Sequence, residues 1–349
     1  MKCLPQNTGL TYEDVLLSPR FSDIRSRSEV EIGNLIASHY LKVPILSAPM
    51  DTVTEGSMVQ TMHECGGLGI IHRYNTIEEQ IKIVRTTLKK RRTTKGVFVG
   101  AAVGVTGDYY ERAQELINLG VSVICLDIAH AHHILTKEAL GFLKRDFPNV
   151  HFMVGNVATQ RAFADLCNWG ADSIKVGIGG GSICSTRLKT GHGVPGLQAI
   201  IDCAQANEGN RALLIADGGI KTSGDIVKAL AAGADFVMLG SLLAGTDESP
   251  GEIFDSEGEK VKIYQGMASS EAQMKWKGEV SSREGISTSI PYRGSVKNII
   301  EDLTVGIRSG FSYSGARNIK ELQNKAFFMR QTASGITESA THILLRSNT

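Results

Sequence analysis

Short apolar runs recur along the chain, and each is followed by a polar or glycine-rich stretch. Nearly continuous apolar runs are typical of strands that are buried on both faces, as in a parallel sheet. Sequences with helical periodicity lie between most of them, and those at 159–170 and 222–233 begin at a threonine suited to an N-cap and end in glycine. The eight apolar runs occupy positions 43–49, 67–72, 97–103, 121–128, 151–157, 173–178, 212–219 and 236–241.

Eight strands that alternate with helices predict an α/β protein, a (β/α)8 TIM barrel that spans residues 1–349 as one domain. An open doubly wound sheet is the alternative, although it would not need eight units of such even spacing. Two long segments interrupt the rhythm, at 177–196 after the sixth strand and at 251–294 after the eighth. Both follow the carboxyl ends of strands, where barrel enzymes place their active sites.

Composition limits the classes of partner. Lys and Arg total 37 against 36 Asp and Glu, so no global field would attract nucleic acid or an anionic membrane. The six cysteines are scattered without a C-x-x-C pair, which argues against a disulfide scaffold or a structural zinc site. The amino terminus lacks an apolar signal region, and no apolar run is long enough for a membrane span. We therefore expect a cytoplasmic protein.

The glycine-rich segment 177–196, called here the Cys loop, is the strongest candidate for chemistry. Its glycines allow close backbone approach to a ligand, Ser182 offers a hydroxyl and an amide, and Cys184 would be a nucleophile if its pKa were lowered. A flexible loop with an incidental cysteine is the alternative. Asp217-Gly218-Gly219 ends the seventh strand and Gly240-Ser241 ends the eighth, where barrels often bind phosphate through backbone amides.

With these motifs, the chain resembles the family of inosine-monophosphate dehydrogenases and guanosine-monophosphate reductases. The resemblance covers essentially the whole chain, and the Cys loop is its most specific part. One departure is Gly180, where the family usually has proline or a small residue. The similar segments are LTYEDVLLSP (10–19), SAPMDTVTE (47–55), GNVAT (155–159), KVGIGGGSICSTR (175–187), ADGGI (216–220), GSLLAGTDESPGE (240–252), YQGMASSE (264–271) and VGIRSGFSYSGA (305–316).

The resemblance implies a purine nucleoside monophosphate as substrate and a nicotinamide cofactor. It makes Cys184 the nucleophile that attacks C2 of the purine, Thr186 a hydroxyl that handles a proton, and Glu284 a catalytic side chain that contacts the edge of the base. The other substrate-binding residues that it implies are Ser182, Asp217, Gly218, Gly219, Gly240, Ser241, Tyr264, Met267, Ala268, Ser269, Arg283 and Gly285. The cofactor-side residues that it implies are Asp127, Ala129, Asn156, Gly177 and Gly179.

The resemblance also bears on metals and assembly. It implies a homotetramer and a K⁺ ion held between Glu338 and the backbone near Gly179, Gly181 and Cys184. A histidine cluster at 130, 132 and 133 has spacing that could suit another metal. We expect these histidines to form a polar wall of the cofactor pocket instead, since no carboxylate-histidine signature accompanies them.

The two activities of the family differ after the covalent step. The dehydrogenase hydrolyses the intermediate with a flap that carries an Arg-Tyr pair, and the reductase lacks that flap. Here only 17 positions separate Met267 from Glu284, without an Arg-Tyr pair, and only about 24 residues lie between Ile71 and Lys95, too few for the regulatory domain usual in dehydrogenases. Segments 18–33 and 266–275 are reductase-like, whereas 47–55, 66–72 and 332–343 are dehydrogenase-like.

Because flap chemistry bears directly on the reaction, we favour NADPH-dependent conversion of GMP to IMP and ammonia. Oxidation of IMP with NAD remains the alternative. A purine-nucleotide-binding barrel with altered or lost redox activity also stays open, as does a related nucleotide with an unusual base.

Overall fold

The computed structural model describes residues 8–89, 96–207, 209, 211–277 and 284–339. Eight parallel strands close into a barrel, with the last strand paired to the first through Val237 and Ile45. The predicted (β/α)8 barrel is confirmed, and each of the eight apolar runs contains one barrel strand. The strands are β1 (Ile45–Ser47), β2 (Leu68–Ile71), β3 (Gly100–Val103), β4 (Val123–Asp127), β5 (His151–Val157), β6 (Ser173–Val176), β7 (Leu213–Asp217) and β8 (Phe236–Leu239).

Eight helices surround the barrel, one after each strand. Local sequence sets their ends: the Thr159 and Thr222 side chains accept hydrogen bonds at the starts of two of them, and Gly170 takes a left-handed conformation at an end. The helices are α1 (Gly56–Glu64), α2 (Ile77–Lys89), α3 (Tyr109–Asn118), α4 (Ile134–Asp146), α5 (Gln160–Trp169), α6 (Gly196–Ala206), α7 (Ser223–Ala231) and α8 (Val296–Tyr313).

Alternation along the strands divides the core into two layers. In β7, Leu214 and Ala216 face the helices, whereas Ile215 belongs to the cluster inside the barrel. A hairpin of Asn34–Ile36 and His39–Leu41 adds Ile36 and Leu41 to the interior cluster, so it covers one end of the barrel. The opposite end, at the carboxyl ends of the strands, is left for the polar loops.

Further elements decorate this frame. The Cys loop contains a short helix, Thr186–Thr190, and segment 251–294, called here the insertion, carries a three-stranded antiparallel sheet and a helix. No helix among the described residues is both long and apolar enough to span a bilayer. The remaining elements are 3₁₀ turns at Tyr12–Asp14 and Arg27–Glu29, insertion strands at Phe254–Ser256, Glu259–Gln265 and Ser287–Pro291, the insertion helix Ser270–Lys277, a strand pair of Val15–Leu17 with Phe328–Arg330, and helices Ile319–Lys325 and Ala333–Glu338.

Candidate active site

A cavity of about 1240 Å³ opens at the carboxyl ends of the barrel strands. Strands β4 and β7 end at Asp127 and Asp217, so the parallel arrangement brings both carboxylates to the same rim. The cavity is lined by nearly all of the residues singled out from the sequence: Cys184, Thr186, Glu284, Ser182, Asp217, Gly218, Gly219, Gly240, Ser241, Tyr264, Met267, Ala268, Gly285, Asp127, Ala129, Asn156, Gly177, Gly179 and Gly181.

Glycines allow the Cys loop and the loop after β7 to touch backbone to backbone. Gly177 has a φ of 146°, and a Cβ there would lie 1.9 Å from the carbonyl oxygen of Asp217. A Cβ on Gly218 would lie 3.2 Å from the amide nitrogen of Gly181. Because side chains at these positions would push the loops apart, the glycines bring the two predicted ligand loops together.

Cys184 lies in a hydrogen-bonded chain of three side chains. Its thiol donates to the hydroxyl of Thr186 at 3.2 Å, and that hydroxyl donates to Oε2 of Glu284 at 2.8 Å. The thiol is exposed to the cavity. A thiol, a hydroxyl and a carboxylate in this order form a path along which a proton can move between the carboxylate and a group beside the sulfur.

The insertion holds these three hydrogen-bonded side chains in place by β-type pairing with the Cys loop. Cys184 and Gly285 form an antiparallel bridge, in which the amide of Ile286 donates to the carbonyl of Ile183 at 3.1 Å. The Ser185 amide donates to the Glu284 carbonyl at 2.9 Å. Cys184 and Glu284 are 100 positions apart in the sequence, and this short ladder fixes the distance between them.

A second group, called here the glycine–serine corner, consists of Ser182, Gly219, Gly240, Ser241 and Tyr264. The Tyr264 hydroxyl is hydrogen-bonded to Ser182, and burial raises the pKa of this phenol to about 12 despite that bond. It therefore stays protonated and can donate. Within the described ranges, the amides of Ser241 and Leu242 donate to no protein acceptor, so they are free to bind an anion.

A charged network lies beneath the cavity. The ammonium of Lys175 on β6 contacts Oδ1 of Asp127 and lies 3.7 Å from Oδ2 of Asp217. Asn156 donates to the same Asp217 oxygen at 2.9 Å and to the Gly177 carbonyl at 2.8 Å. Burial raises the pKa of Asp217, while Lys175 and Asn156 oppose that rise. Burial also disfavours the charged form of Lys175, but the two carboxylates outweigh it and raise the pKa of this ammonium.

On the far side of the cavity, Arg73 lies against two aromatic rings. Its guanidinium carbon is 5.2 Å from the ring centre of Tyr74 and 5.6 Å from that of Trp276. One of its nitrogens donates to the Asp127 carbonyl at 3.2 Å. The rings and the cation form a flat wall beside Asp127.

The three clustered histidines do not act as a unit. His130 and His133 line the cavity, as expected for a polar wall. His132 instead contacts Asp165 at 2.9 Å and stacks on Trp169. Burial, together with the neighbouring imidazoles, lowers the pKa of His130. Among the described residues, no group of three His, Cys, Asp or Glu side chains is arranged to hold a metal ion.

Two of the predicted site residues that the structure describes do not line the cavity. Ser269 is fully buried, and its hydroxyl accepts from the Ala272 amide at 3.1 Å, so it caps the insertion helix. Glu338 ends the last described helix, and its K⁺ stays a prediction. Arg283 lies outside the described residues.

Sequence reasoning missed Lys175, Arg73 and Trp276. A signal for the first was available, because a lysine in the middle of a run that predicts a fully buried strand requires a buried partner. Neither Arg73, which follows β2, nor Trp276, which belongs to the insertion, has a local sequence signal.

A (β/α)8 barrel that gathers an exposed cysteine, carboxylates and a corner of glycines and hydroxyls at the carboxyl ends of its strands has the architecture of a barrel enzyme. A sequence model of the IMP dehydrogenase / GMP reductase domain matches residues 9–342. The chain therefore belongs to this family of oxidoreductases, whose members use a nicotinamide cofactor.

The chain is similar both to proteins named IMP dehydrogenase and to proteins named GMP reductase. It is 34% identical to inosine-5′-monophosphate dehydrogenase of Nitrosopumilus maritimus (strain SCM1), over 97% of this chain and 98% of that protein. It is 37% identical to GMP reductase of Vibrio atlanticus (strain LGP32), over 94% and 96%. Among solved structures, a cysteine-to-alanine variant of Trypanosoma brucei GMP reductase in complex with guanosine 5′-monophosphate aligns with a TM-score of 0.91 and 32% identity, over 96% of this chain and 98% of that one.

Proposed function

We propose that the protein catalyses the NADPH-dependent reductive deamination of GMP to IMP and ammonia. The observation that carries the proposal is the chain of hydrogen bonds from Cys184 through Thr186 to Glu284. It offers a nucleophile and a proton path, and the segment that joins Met267 to Glu284 contains no Arg-Tyr pair to activate water.

The glycine–serine corner would hold the phosphate of the nucleotide. Its hydroxyls and free amides suit an anion, and the neighbouring Asp217 would accept hydrogen bonds from the ribose. The backbone near Met267 and Ala268 would contact the base, and the carboxylate of Glu284 would accept from its edge. This arrangement would bring C2 of the purine near Cys184. The complex of the trypanosomal GMP reductase with GMP supports a nucleotide of this class.

In the reaction, the sulfur of Cys184 bonds to C2 of GMP, and the C2–N bond to the amino group breaks. Glu284 takes up one of the two protons that the reaction consumes and passes it through Thr186 to the leaving nitrogen, which departs as ammonia. A hydride then reaches C2, the carbon–sulfur bond breaks, and IMP leaves. The balance is GMP, NADPH and two protons in, and IMP, NADP⁺ and ammonium out. The covalent step divides one difficult substitution into two easier ones.

The far wall of the cavity fits a nicotinamide cofactor. When bound, the reduced nicotinamide supplies the hydride. Asp127 and Asn156 present polar atoms there, Ala129, Gly177 and Gly179 leave room for close approach, and the wall formed by Tyr74 and Trp276 offers flat surfaces. The cavity is also larger than the range of roughly 300–1,000 Å³ common for single small ligands.

IMP dehydrogenase is the second candidate, favoured by the similarity to the archaeal enzyme. It would convert IMP, NAD and water to XMP and NADH, and would need a group that makes hydroxide. The direct test is to incubate the purified protein with GMP and NADPH, and separately with IMP and NAD, and to separate the products by chromatography. We expect IMP and ammonia in equal amounts from GMP. Faster formation of XMP from IMP would establish the dehydrogenase, and no turnover of either nucleotide would favour a binding barrel.

We also propose that the protein is a homotetramer and that K⁺ stabilises the Cys loop. Exposed apolar side chains lie together on the outer strand pair, where Leu16 pairs with Met329 and Phe327 is adjacent, which suits a subunit contact. Light scattering at micromolar concentration would give a tetrameric mass, and activity would fall when K⁺ is replaced by a bulky organic cation.

A further inference from the structure

The glycine–serine corner contains no cation, although the proposed ligand brings a dianionic phosphate. Among the described residues that line the cavity, the lysine and arginines are Arg73, Arg112 and Lys175. Each is engaged elsewhere, since Arg73 and Lys175 contact Asp127 and Arg112 contacts Asp108. Among the described residues, the groups at the corner that could meet the phosphate charge are therefore hydroxyls and amides.

Arg293 lies behind this corner and outside the cavity lining. Its Nη1 donates to the carbonyl oxygen of Ser241 at 2.9 Å and lies 3.5 Å from that of Leu242. These carbonyls belong to the turn that follows β8, in which the amides of Leu243 and Ala244 both donate to the Gly240 carbonyl. The guanidinium thus touches the outer side of the turn whose inner side forms the corner.

The direction of the peptide group determines what this contact does. In a trans peptide the carbonyl and the amide that follows it point in opposite directions. With the Ser241 carbonyl drawn toward Arg293, the Leu242 amide points away from it, and that amide has no protein acceptor. A cation on the carbonyl also polarises the peptide and strengthens its amide as a donor. The charge of Arg293 reaches the corner as well, since it acts to lower the otherwise raised pKa of Tyr264.

The backbone around Arg293 is pinned to the same turn. The Arg293 amide donates to the Gly245 carbonyl at 2.9 Å, and the Asp247 amide donates to the Gly294 carbonyl at 2.9 Å. The Tyr292 hydroxyl adds a 2.6 Å bond to Asp247. These bonds fix the backbone that carries the guanidinium, so its position does not depend on the conformation of the side chain alone.

We propose that Arg293 is a positioning residue for phosphate recognition, which orients and polarises the turn at Ser241 and Leu242 from behind. The inference rests on the proposed function, because it assumes that the glycine–serine corner holds a phosphate. It makes the discrimination between nucleotide and nucleoside depend on a residue that does not touch the ligand.

The test compares the dissociation constants of GMP and guanosine, measured by calorimetry, for the unaltered protein and Arg293→Gln. We expect GMP to bind about 10-fold more weakly to the variant, since a charge-assisted hydrogen bond is lost at an exposed and screened site. Guanosine affinity should change by less than about twofold. Arg293→Lys should restore part of the loss for GMP, because lysine keeps the charge without the planar geometry.

Arg85→Gln is the matched control, because it removes an arginine charge from helix α2 at a position that does not line the cavity. Equal weakening of GMP and guanosine in Arg293→Gln would mean a purely structural role, and unchanged GMP affinity would also overturn the inference. If Arg293→Gln fails to fold, Arg293→Lys carries the same comparison with a smaller expected loss for GMP. An unaltered protein that binds guanosine as tightly as GMP would instead refute the phosphate site, and the proposed function with it.

Discussion

At the scale of single residues, the chemistry of Cys184 depends on what lies beside it. The thiol is exposed, and among the described residues its side-chain partner is the Thr186 hydroxyl, which is itself bound to Glu284. None of these three residues belongs to the glycine–serine corner. If the proposed function is right, mutation should therefore separate bond formation from nucleotide binding.

Cys184→Ala should abolish turnover of GMP while the dissociation constant for GMP changes little. The substitution removes the sulfur that bonds to C2, but leaves Ser182, Tyr264 and the free amides in place. Steady-state rates and calorimetric titration measure the two effects. A variant that retains near-normal rates would exclude covalent catalysis at this position.

Glu284→Gln should lower kcat by about 10²–10⁴-fold, with a much smaller effect on GMP binding. The amide keeps the size of the side chain and can still meet the Thr186 hydroxyl, but it cannot deliver a proton to the leaving nitrogen. Single-turnover measurement of ammonia release isolates this step. Loss of binding with an unchanged chemical step would assign Glu284 to recognition of the base only.

At the scale of elements, the site depends on two loops that meet through their backbones. Gly177 lies where β6 enters the Cys loop, and it faces the carbonyl of Asp217 at the end of β7. Gly180 is only three positions further on, yet a Cβ there would have its nearest neighbour at 3.8 Å. The same loop thus contains one glycine that the packing requires and one that it does not.

Gly177→Ala should destabilise the protein by about 3 kcal/mol and inactivate it, because the methyl group would overlap a carbonyl oxygen and φ lies in the region that favours glycine. Gly180→Ala is the matched control and should keep nearly full stability and activity. Urea denaturation and initial rates measure both. Equal effects of the two substitutions would contradict this account of the loop contact.

At the scale of the whole molecule, closure of the barrel buries polar groups that lie far from the site. His151 begins β5, and its Nε2 lies 2.9 Å from the hydroxyl of Ser173 at the start of β6. Burial lowers the pKa of this imidazole to about 4, from the ordinary value of 6.5. Between these two pKa values, the unfolded chain therefore binds a proton at His151 that the folded protein does not bind.

The stability of the protein should fall as pH drops from about 6.5 to about 4, with His151 contributing up to about 3 kcal/mol of that loss. The sign follows from the lowered pKa, since the contribution is fully present above the unfolded value and is lost as pH falls through the folded one. In His151→Gln, the urea midpoint should depend less steeply on pH over this range. His192→Gln, in the exposed Cys loop, is the control. A slope unchanged by His151→Gln would refute the prediction.

Local patterns in the sequence were enough to predict the eight strands, helix ends such as Thr159 and Gly170, and the loops that line the cavity. Apolar periodicity and turn chemistry act over a few residues, so they can be detected without knowledge of the fold. Most of the residues that the resemblance implied do line the cavity. The hydroxyl of Ser269 accepts from the Ala272 amide at the start of the insertion helix, a contact that the resemblance did not indicate.

Only the tertiary structure decided which distant residues meet. The distance from Thr186 to Glu284, the burial of Lys175 between Asp127 and Asp217, and the contact of Arg293 with the turn after β8 all join segments far apart in the chain. Periodicity carries no information about such pairs, because their geometry is set when the barrel closes and the insertion pairs with the Cys loop. The sequence by itself therefore determined the barrel and the side chains at its rim, and barrel closure determined their distances, partners and charges.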